Sequence, residues 1–307
     1  MKDLLSLRCW NKGMVDKLIS HTYNIKKNPE NYFETLKNKT MLMIFEKPSL
    51  RTRVTFEVGM THLGGHAIFL DAKDVPLGKK ESIPDTAKTS SRYCDIIMAR
   101  LYEQDNLEKL ANNSKVPVIN GLTDIFHPCQ ILSDLFTIHE KKEKFKGLKL
   151  CYVGDGNNNI THSLLLGCSI VGIDISVGCP GKYKPLWHVM DLAKKKAKKS
   201  GSKIEVINDA KKAAKDADII YTDSWMSYHI PKTQEKERIK IFKPFQVNKE
   251  LMKSAKNNAI FMNCLPAMRG YEQIADVIDG KQSIVFDQAE NRLHTQKAII
   301  LELLHKI

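Results

Sequence analysis

FEKPSLRTRVTFEVG, residues 45–59, sets three local signals side by side. The apolar run Met41–Phe45 reads as a strand that ends here. Pro48 and Ser49 form a turn, and a helix begins around Arg51 with Ser49 placed as its N-cap. Strand, tight turn and helix in direct succession is the opening of a βαβ unit. The same residues carry chemistry. The free N–H groups of a first helical turn, a serine hydroxyl and an arginine together make a cradle for phosphate. A capped surface helix that happens to bear charge is the plainer reading of the same stretch.

Outward from this segment the alternation continues to both ends of the chain. Short apolar runs at Met41–Phe45, Ala67–Leu70, Ile96–Met98, Val116–Ile119, Leu148–Gly154, Ile173–Val177, Ile219–Tyr221, Ala259–Asn263 and Ser283–Phe286 read as strands. Helix-length segments separate them, which predicts α/β architecture with mainly parallel sheets. The polar run His139–Gly147 is the best boundary between two doubly wound domains. The reading is a first domain over 1–140, a second over 141–290, and a last amphipathic helix, 291–307, returning to the first. In such folds ligands sit at the carboxyl ends of the strands, so the informative residues should follow each apolar run. The active site is expected in the cleft between the domains.

Composition fits a globular protein. Of 307 residues, 42% are hydrophobic and 27% charged, enough for two packed cores. No segment approaches the ~20 uninterrupted apolar residues of a membrane span, and the N-terminal MKDLLSLRCWNKG is too short and broken for a signal peptide. The seven cysteines lie at irregular spacing with no CxxC pair. That pattern reads as reduced thiols in the cytoplasm, without a metal site or disulfide frame. The formal charge of +13 raises the question of nucleic acid, but aromatics are only 7% and none interleaves with the lysine runs. Lys194–Lys196 and Lys198–Lys199 read as the solvated face of one helix. The expected partners are small anionic molecules, with no nucleic acid and no membrane.

Further segments follow in order: GLTDIFHPCQILSDLFT (121–137), YVGDGNNN (152–159), TDSW (222–225), NCLPAMRG (263–270) and FDQAENRLHTQKA (286–298). Together with S-x-R-T-R at 49–53 these resemble, over nearly the whole chain, the aspartate and ornithine transcarbamylase superfamily. The C-L-P triplet and the D-S-W loop resemble its ornithine branch. The resemblance implies transfer of a carbamoyl group from carbamoyl phosphate to the side-chain amine of ornithine, without metal or organic cofactor, in a homotrimer or an assembly of trimers. It also implies roles. Ser49, Leu50, Arg51 and Thr52 would hold phosphate, with Arg100 and Arg292 adding two guanidinium groups. His127 and Gln130 would bind the carbamoyl end, and the backbone near Leu265 would help stabilise the oxyanion. Asn159, with Asn158 beside it, would hold the α-carboxylate of the amino acid. Asp223, Cys264, Ser227 and Tyr228 would face its ammonium and amine.

The chain departs from the family pattern in three places. Tyr228-His229 stand where Met-Gly is usual, Asn263 stands for histidine, and Pro76 stands for a glutamine offered to a neighbouring subunit; Lys79 or Lys80 is the expected replacement. Transfer to putrescine, lysine or an acylated ornithine is the rival substrate reading, and Asn159 favours an amino acid. Covalent catalysis at Cys264 is open on chemistry alone, but the resemblance implies direct transfer. A dinucleotide site at Gly154 and Gly156 lacks its third glycine, which is Asn159, and Asp174 has no supporting context as a ribose ligand. A non-catalytic protein on this fold would be expected to have lost Arg51, His127 or Cys264.

Overall fold

The computed structural model describes residues 2–73, 78–227 and 230–307. The chain divides into two compact units: Met1–Cys9, Gly13–Phe136 and Glu290–Ile307 form the first, and Trp10–Lys12 and Thr137–Ala289 the second. The expectation of two α/β domains with parallel sheets is borne out.

In the first unit, β1 (Thr40–Phe45), β2 (His66–Asp71), β3 (Ile96–Arg100) and β4 (Val118–Leu122) form a parallel sheet in the order β2-β1-β3-β4. Around them run α1 (Lys12–Lys27), α2 (Leu50–His62), α3 (Ile83–Ser90), α4 (Gln104–Asn113) and the start of α5 (Pro128–Lys142). Every residue of β3 is buried, which is why its sequence, IIMAR, shows no alternation. Pairing places Phe45 beside Arg100, and Arg100 beside Leu122 across an irregularity after Ala99. The segments that follow β1, β3 and β4 therefore leave the sheet together on one side. Gly121 is confined by packing: a Cβ there would lie 2.5 Å from Met98 Sδ.

The second unit holds β5 (Lys149–Val153), β6 (Asp174–Gly178), β7 (Ile204–Ile207), β8 (Ile219–Thr222) and β9 (Ile260–Asn263) in the order β7-β6-β5-β8-β9, again all parallel. Its helices are α6 (Asn159–Val171), α7 (Trp187–Ser200), α8 (Ala210–Ala214), α9 (Glu235–Phe242), α10 (Lys249–Met252) and α11 (Ala275–Ile278). Helix α6 is buried from Ile160 to Val171 and ends at Gly172, whose φ of 87° is the left-handed cap that glycine adopts without strain. On α7 the buried residues are Val189, Ala193 and Ala197, so the lysine run is indeed an outer face.

Two strand expectations change. Ser283–Phe286 is not a strand: only Ser283 bridges to Phe261, and helix α12 (Val285–Leu303) takes over at once. The apolar Val285 and Phe286 gave a strand-like run, but Asp287 and the apolar spacing beyond it favour a helix. Strand β7, IEVI, went unread because four residues bearing a glutamate give too short a pattern at the sheet edge. The division between units falls within α5 and α12, and α12 from Glu290 onward belongs to the first unit.

Candidate functional site

In the first unit Ser49 caps α2 as the sequence predicts. Its φ of −164° is extended backbone and its Oγ accepts the Thr52 N–H at 3.3 Å. Leu50 and Arg51 form the first turn and stay accessible, whereas Thr52 is buried. The Thr52 hydroxyl is approached by two guanidinium groups, Arg100 Nη1 and Arg292 Nη2, each at 3.5 Å. These come from the end of β3 and from α12, so three distant segments converge on one hydroxyl at a helix N-terminus.

Both arginines are buried, and Arg292, only 2% exposed, is heavily bonded. Its Nη1 donates to Gln130 Oε1, whose Nε2 donates in turn to Asp134 at 2.9 Å. With the Gln296 amide turned to satisfy its neighbours, its oxygen accepts from Arg292 Nε (3.2 Å) and Nη2 (2.7 Å), and its nitrogen donates to Thr55. Gln296 was missed in the sequence. It lies one helical turn beyond Arg292, and that spacing is the signal that identifies it.

Lys47 was also missed. It is 2% exposed, pairs with Asp124 and lies 4.3 Å over the Tyr102 ring. Burial lowers its pKa, and the neighbouring Asp124 partly offsets that. His127, buried at the N-terminal end of α5, is held well below its ordinary range, first by burial and then by the positive charges of Arg292, Arg100, Lys47 and Arg51. It is therefore neutral at pH 7. Four cations around a neutral imidazole concentrate positive charge of the kind that suits an anion with several oxygens.

In the second unit the residues expected for the amino acid come from the ends of β5, β8 and β9. Asn158 caps α6: its Oδ1 accepts the Thr161 N–H and its Nδ2 donates to the Tyr152 hydroxyl, both at 2.8 Å. Asn158 is thus committed to the fold, and Asn159, the first helical residue, is the more accessible of the two. The Cys264 thiol donates to Asp223 Oδ1 at 3.2 Å, which brings two of the expected residues into direct contact. Ser227 is partly exposed at the end of this loop.

Asn263, expected as a departure from the family pattern, braces the turn after β9. Its Oδ1 accepts the Leu265 N–H at 2.8 Å, and its Nδ2 donates to Gln273 at 2.9 Å. Leu265 has φ 56°, a left-handed conformation that costs a non-glycine residue about 1 kcal/mol or more and needs such support. Glu272, missed in the sequence, is buried and accepts the Met268 N–H at 2.8 Å. Burial raises its pKa to about 7, with Asp223 adding to the shift. Tyr228, His229 and Pro76 lie outside the described residues. Lys79 and Lys80 are exposed.

Two family models match in tandem. One, described as the aspartate/ornithine carbamoyltransferase carbamoyl-P binding domain, covers residues 2–140, and the other, its Asp/Orn binding domain, covers 146–303. The chain belongs to the aspartate/ornithine carbamoyltransferase family. Among its relatives, an ornithine carbamoyltransferase from Pyrococcus abyssi is 53% identical over 88% of this chain and 84% of that protein. Another from Methanocaldococcus jannaschii is 48% identical over 96% and 97%. The solved ornithine carbamoyltransferase from Pyrococcus furiosus superposes with a TM-score of 0.96 at 48% identity, over 100% of this chain and 98% of that one. The carbamoyltransferase models thus divide between β4 and β5; Ser49–Thr52 and Arg100 fall in the first of them, whereas Arg292 falls in the second.

Proposed function

We infer that the chain transfers the carbamoyl group of carbamoyl phosphate to the side-chain amine of L-ornithine, giving L-citrulline and phosphate. The observation that carries this reading is the meeting of Arg100 and Arg292 at Thr52, under the capped N-terminus of α2. Such a cradle holds a phosphorylated substrate and receives the phosphate that leaves. The choice of amine rests on the relatives, which are named ornithine carbamoyltransferase at 46–54% identity.

Ser49, Leu50, Arg51 and Thr52, with Arg100 and Arg292, hold the phosphate. Neutral His127 donates to the carbamoyl oxygen and stabilises the charge that develops there as the amine attacks. Gln130 keeps Arg292 and the carbamoyl group in register, and the Leu265 backbone adds a polar contact to the same group. Asn159 takes the α-carboxylate, with Asn158 fixing the turn beneath it. Asp223, Cys264, Ser227 and Tyr228 take the ammonium and the reacting amine. That amine has an unperturbed pKa near ~10.4, so it must lose a proton before it attacks. The carbamoyl carbon–nitrogen bond then forms and the carbon–oxygen bond to phosphate breaks.

The protein acts in the cytoplasm as a homotrimer. Leu50 and Val54, one turn apart on α2, and Ile68 on β2 present apolar surface to solvent, which supports self-association through the first unit. The forward direction, towards arginine biosynthesis, is our assignment; relatives named anabolic and catabolic are 54% and 46% identical.

The test measures ureido product from carbamoyl phosphate with ornithine, putrescine, lysine, acetylornithine and aspartate in parallel. Ornithine is expected to give the highest kcat/KM, and Arg51→Ala to abolish it. A higher kcat/KM with another amine would move the substrate assignment, and silence with all five would overturn the reading.

A further inference from the structure

Helix α9 carries a buried arginine that the reaction does not use. Arg238 is 6% exposed, and its Nε donates to the Trp225 carbonyl at 2.7 Å. Its Nη2 is paired with the buried carboxylate of Asp155. The guanidinium lies 5.1 Å from the centre of the Tyr183 ring and 4.9 Å from that of Phe242, two rings that themselves pack at 4.7 Å. Phe242 in turn stacks with Trp225 at 5.9 Å.

These two partners sit in the two loops to which the amino acid is assigned. Asp155 opens the turn after β5: its Oδ1 accepts the Asn157 N–H at 2.9 Å and its carbonyl accepts the Thr161 hydroxyl at 3.0 Å. That turn leads directly into Asn158 and Asn159. Trp225 lies in the loop after β8 that begins at Asp223. The loops also touch each other. Gly154 has φ 135°, and a Cβ there would lie 3.5 Å from Trp225 Nε1. The backbone of the first loop thus lies in ordinary van der Waals range of the Trp225 ring, and the positive φ favours glycine there.

We propose that Arg238 is a positioning residue for the amine substrate, setting the separation of Asn159 and Asp223 by bridging Asp155 and the Trp225 carbonyl. A planar guanidinium reaches a carboxylate and a carbonyl in different directions at once, and an ammonium does not. The inference rests on the assignment of ornithine to these two loops.

The experiment compares steady-state kinetics of the wild-type enzyme with Arg238→Gln, Arg238→Lys and Asp155→Asn, with circular dichroism and thermal midpoint recorded for each. Arg238→Gln is expected to raise KM for ornithine about tenfold or more while KM for carbamoyl phosphate stays within about twofold. Arg238→Lys should fall between, because lysine keeps one of the two contacts. Asp155→Asn keeps the turn acceptor for Asn157 but turns an amide NH2 towards Arg238, removing both the charge and the acceptor that Arg238 uses, and should raise the same KM; it carries the test if Arg238→Gln does not fold. An unchanged ornithine KM in folded variants, or an equal rise in both KM values, would overturn the proposal. Failure of the wild-type enzyme to use ornithine at all would instead overturn the substrate assignment.

Discussion

Cys264 and Asp223, 41 positions apart in sequence, are bound to one another, the thiol donating to the carboxylate at 3.2 Å. The thiol is therefore oriented as a hydrogen-bond donor, a role that needs no thiolate. In direct transfer, Cys264→Ser preserves a donor of similar reach and should retain most activity. Cys264→Ala leaves Asp223 without that donor and should cost about 1.5–3 kcal/mol in kcat/KM for ornithine, the usual range for a hydrogen bond to a charged group. Residual turnover by Cys264→Ala would fit direct transfer, whereas a trapped carbamoyl-thioester in the wild-type enzyme would refute it.

Removing Arg292 is expected to separate from removing Arg51. Arg292→Ala deprives Gln130, Gln296 and Thr52 of a shared donor, so it should lower both the thermal midpoint and kcat/KM for carbamoyl phosphate. Arg51, half-exposed in the first turn of α2, should cost about 10²-fold or more in kcat with little change in melting temperature. Parallel thermal melts and initial rates decide the matter.

His127 gives a signed pH dependence. Its folded pKa lies below the unfolded value, so on acidification the unfolded chain takes up a proton that the folded chain refuses. The stability of the folded state should fall as pH drops through about 6.5. His62 and His294, also lowered by burial, contribute in the same direction. His127→Gln should therefore flatten the loss between pH 7.5 and 5.5 in part, as read from urea midpoints; an unaltered slope would contradict this origin.

Glu272 has the opposite sign. Its carboxyl is raised from 4.5 to about 7, so the folded state holds a proton that the unfolded state releases. Stability from this group is present below pH 4.5 and lost as pH rises through 7, a change on the order of 3 kcal/mol. Glu272→Gln keeps an acceptor for the Met268 N–H and removes the ionisation. It should be more stable than wild type at pH 8 and close to it at pH 4.5, measured by chemical denaturation. A variant less stable than wild type at pH 8 would show that the carboxylate itself is needed there.

The first-turn cap at Ser49 was legible because capping is local: one serine, one turn and one strand end suffice. The parallel sheets were legible for the same reason, since buried strands announce themselves as unbroken apolar runs. What escaped is what long-range packing decides. Nothing near Lys47 says that its ammonium is buried against Asp124 and Tyr102, 77 and 55 positions away. Arg238 reads as a surface residue in EKERIKIF until Asp155, 83 positions earlier, is placed beside it. Strand β7 was too short to announce itself, and Val285–Phe286 had strand composition at a helix start.

The return of α12 to the first unit has a consequence for synthesis. Ribosomes deliver residues in order, and Arg292 follows Thr52 by 240 positions. At about 5–20 residues per second, roughly ten to fifty seconds separate the two. From the synthesis of His127 to the end of that interval the nascent chain carries the α2 segment, Arg100 and His127 but lacks the guanidinium that anchors Gln130 and approaches Thr52. On the proposed reading, the site for the reactive acyl phosphate is therefore completed only when α12 has been made.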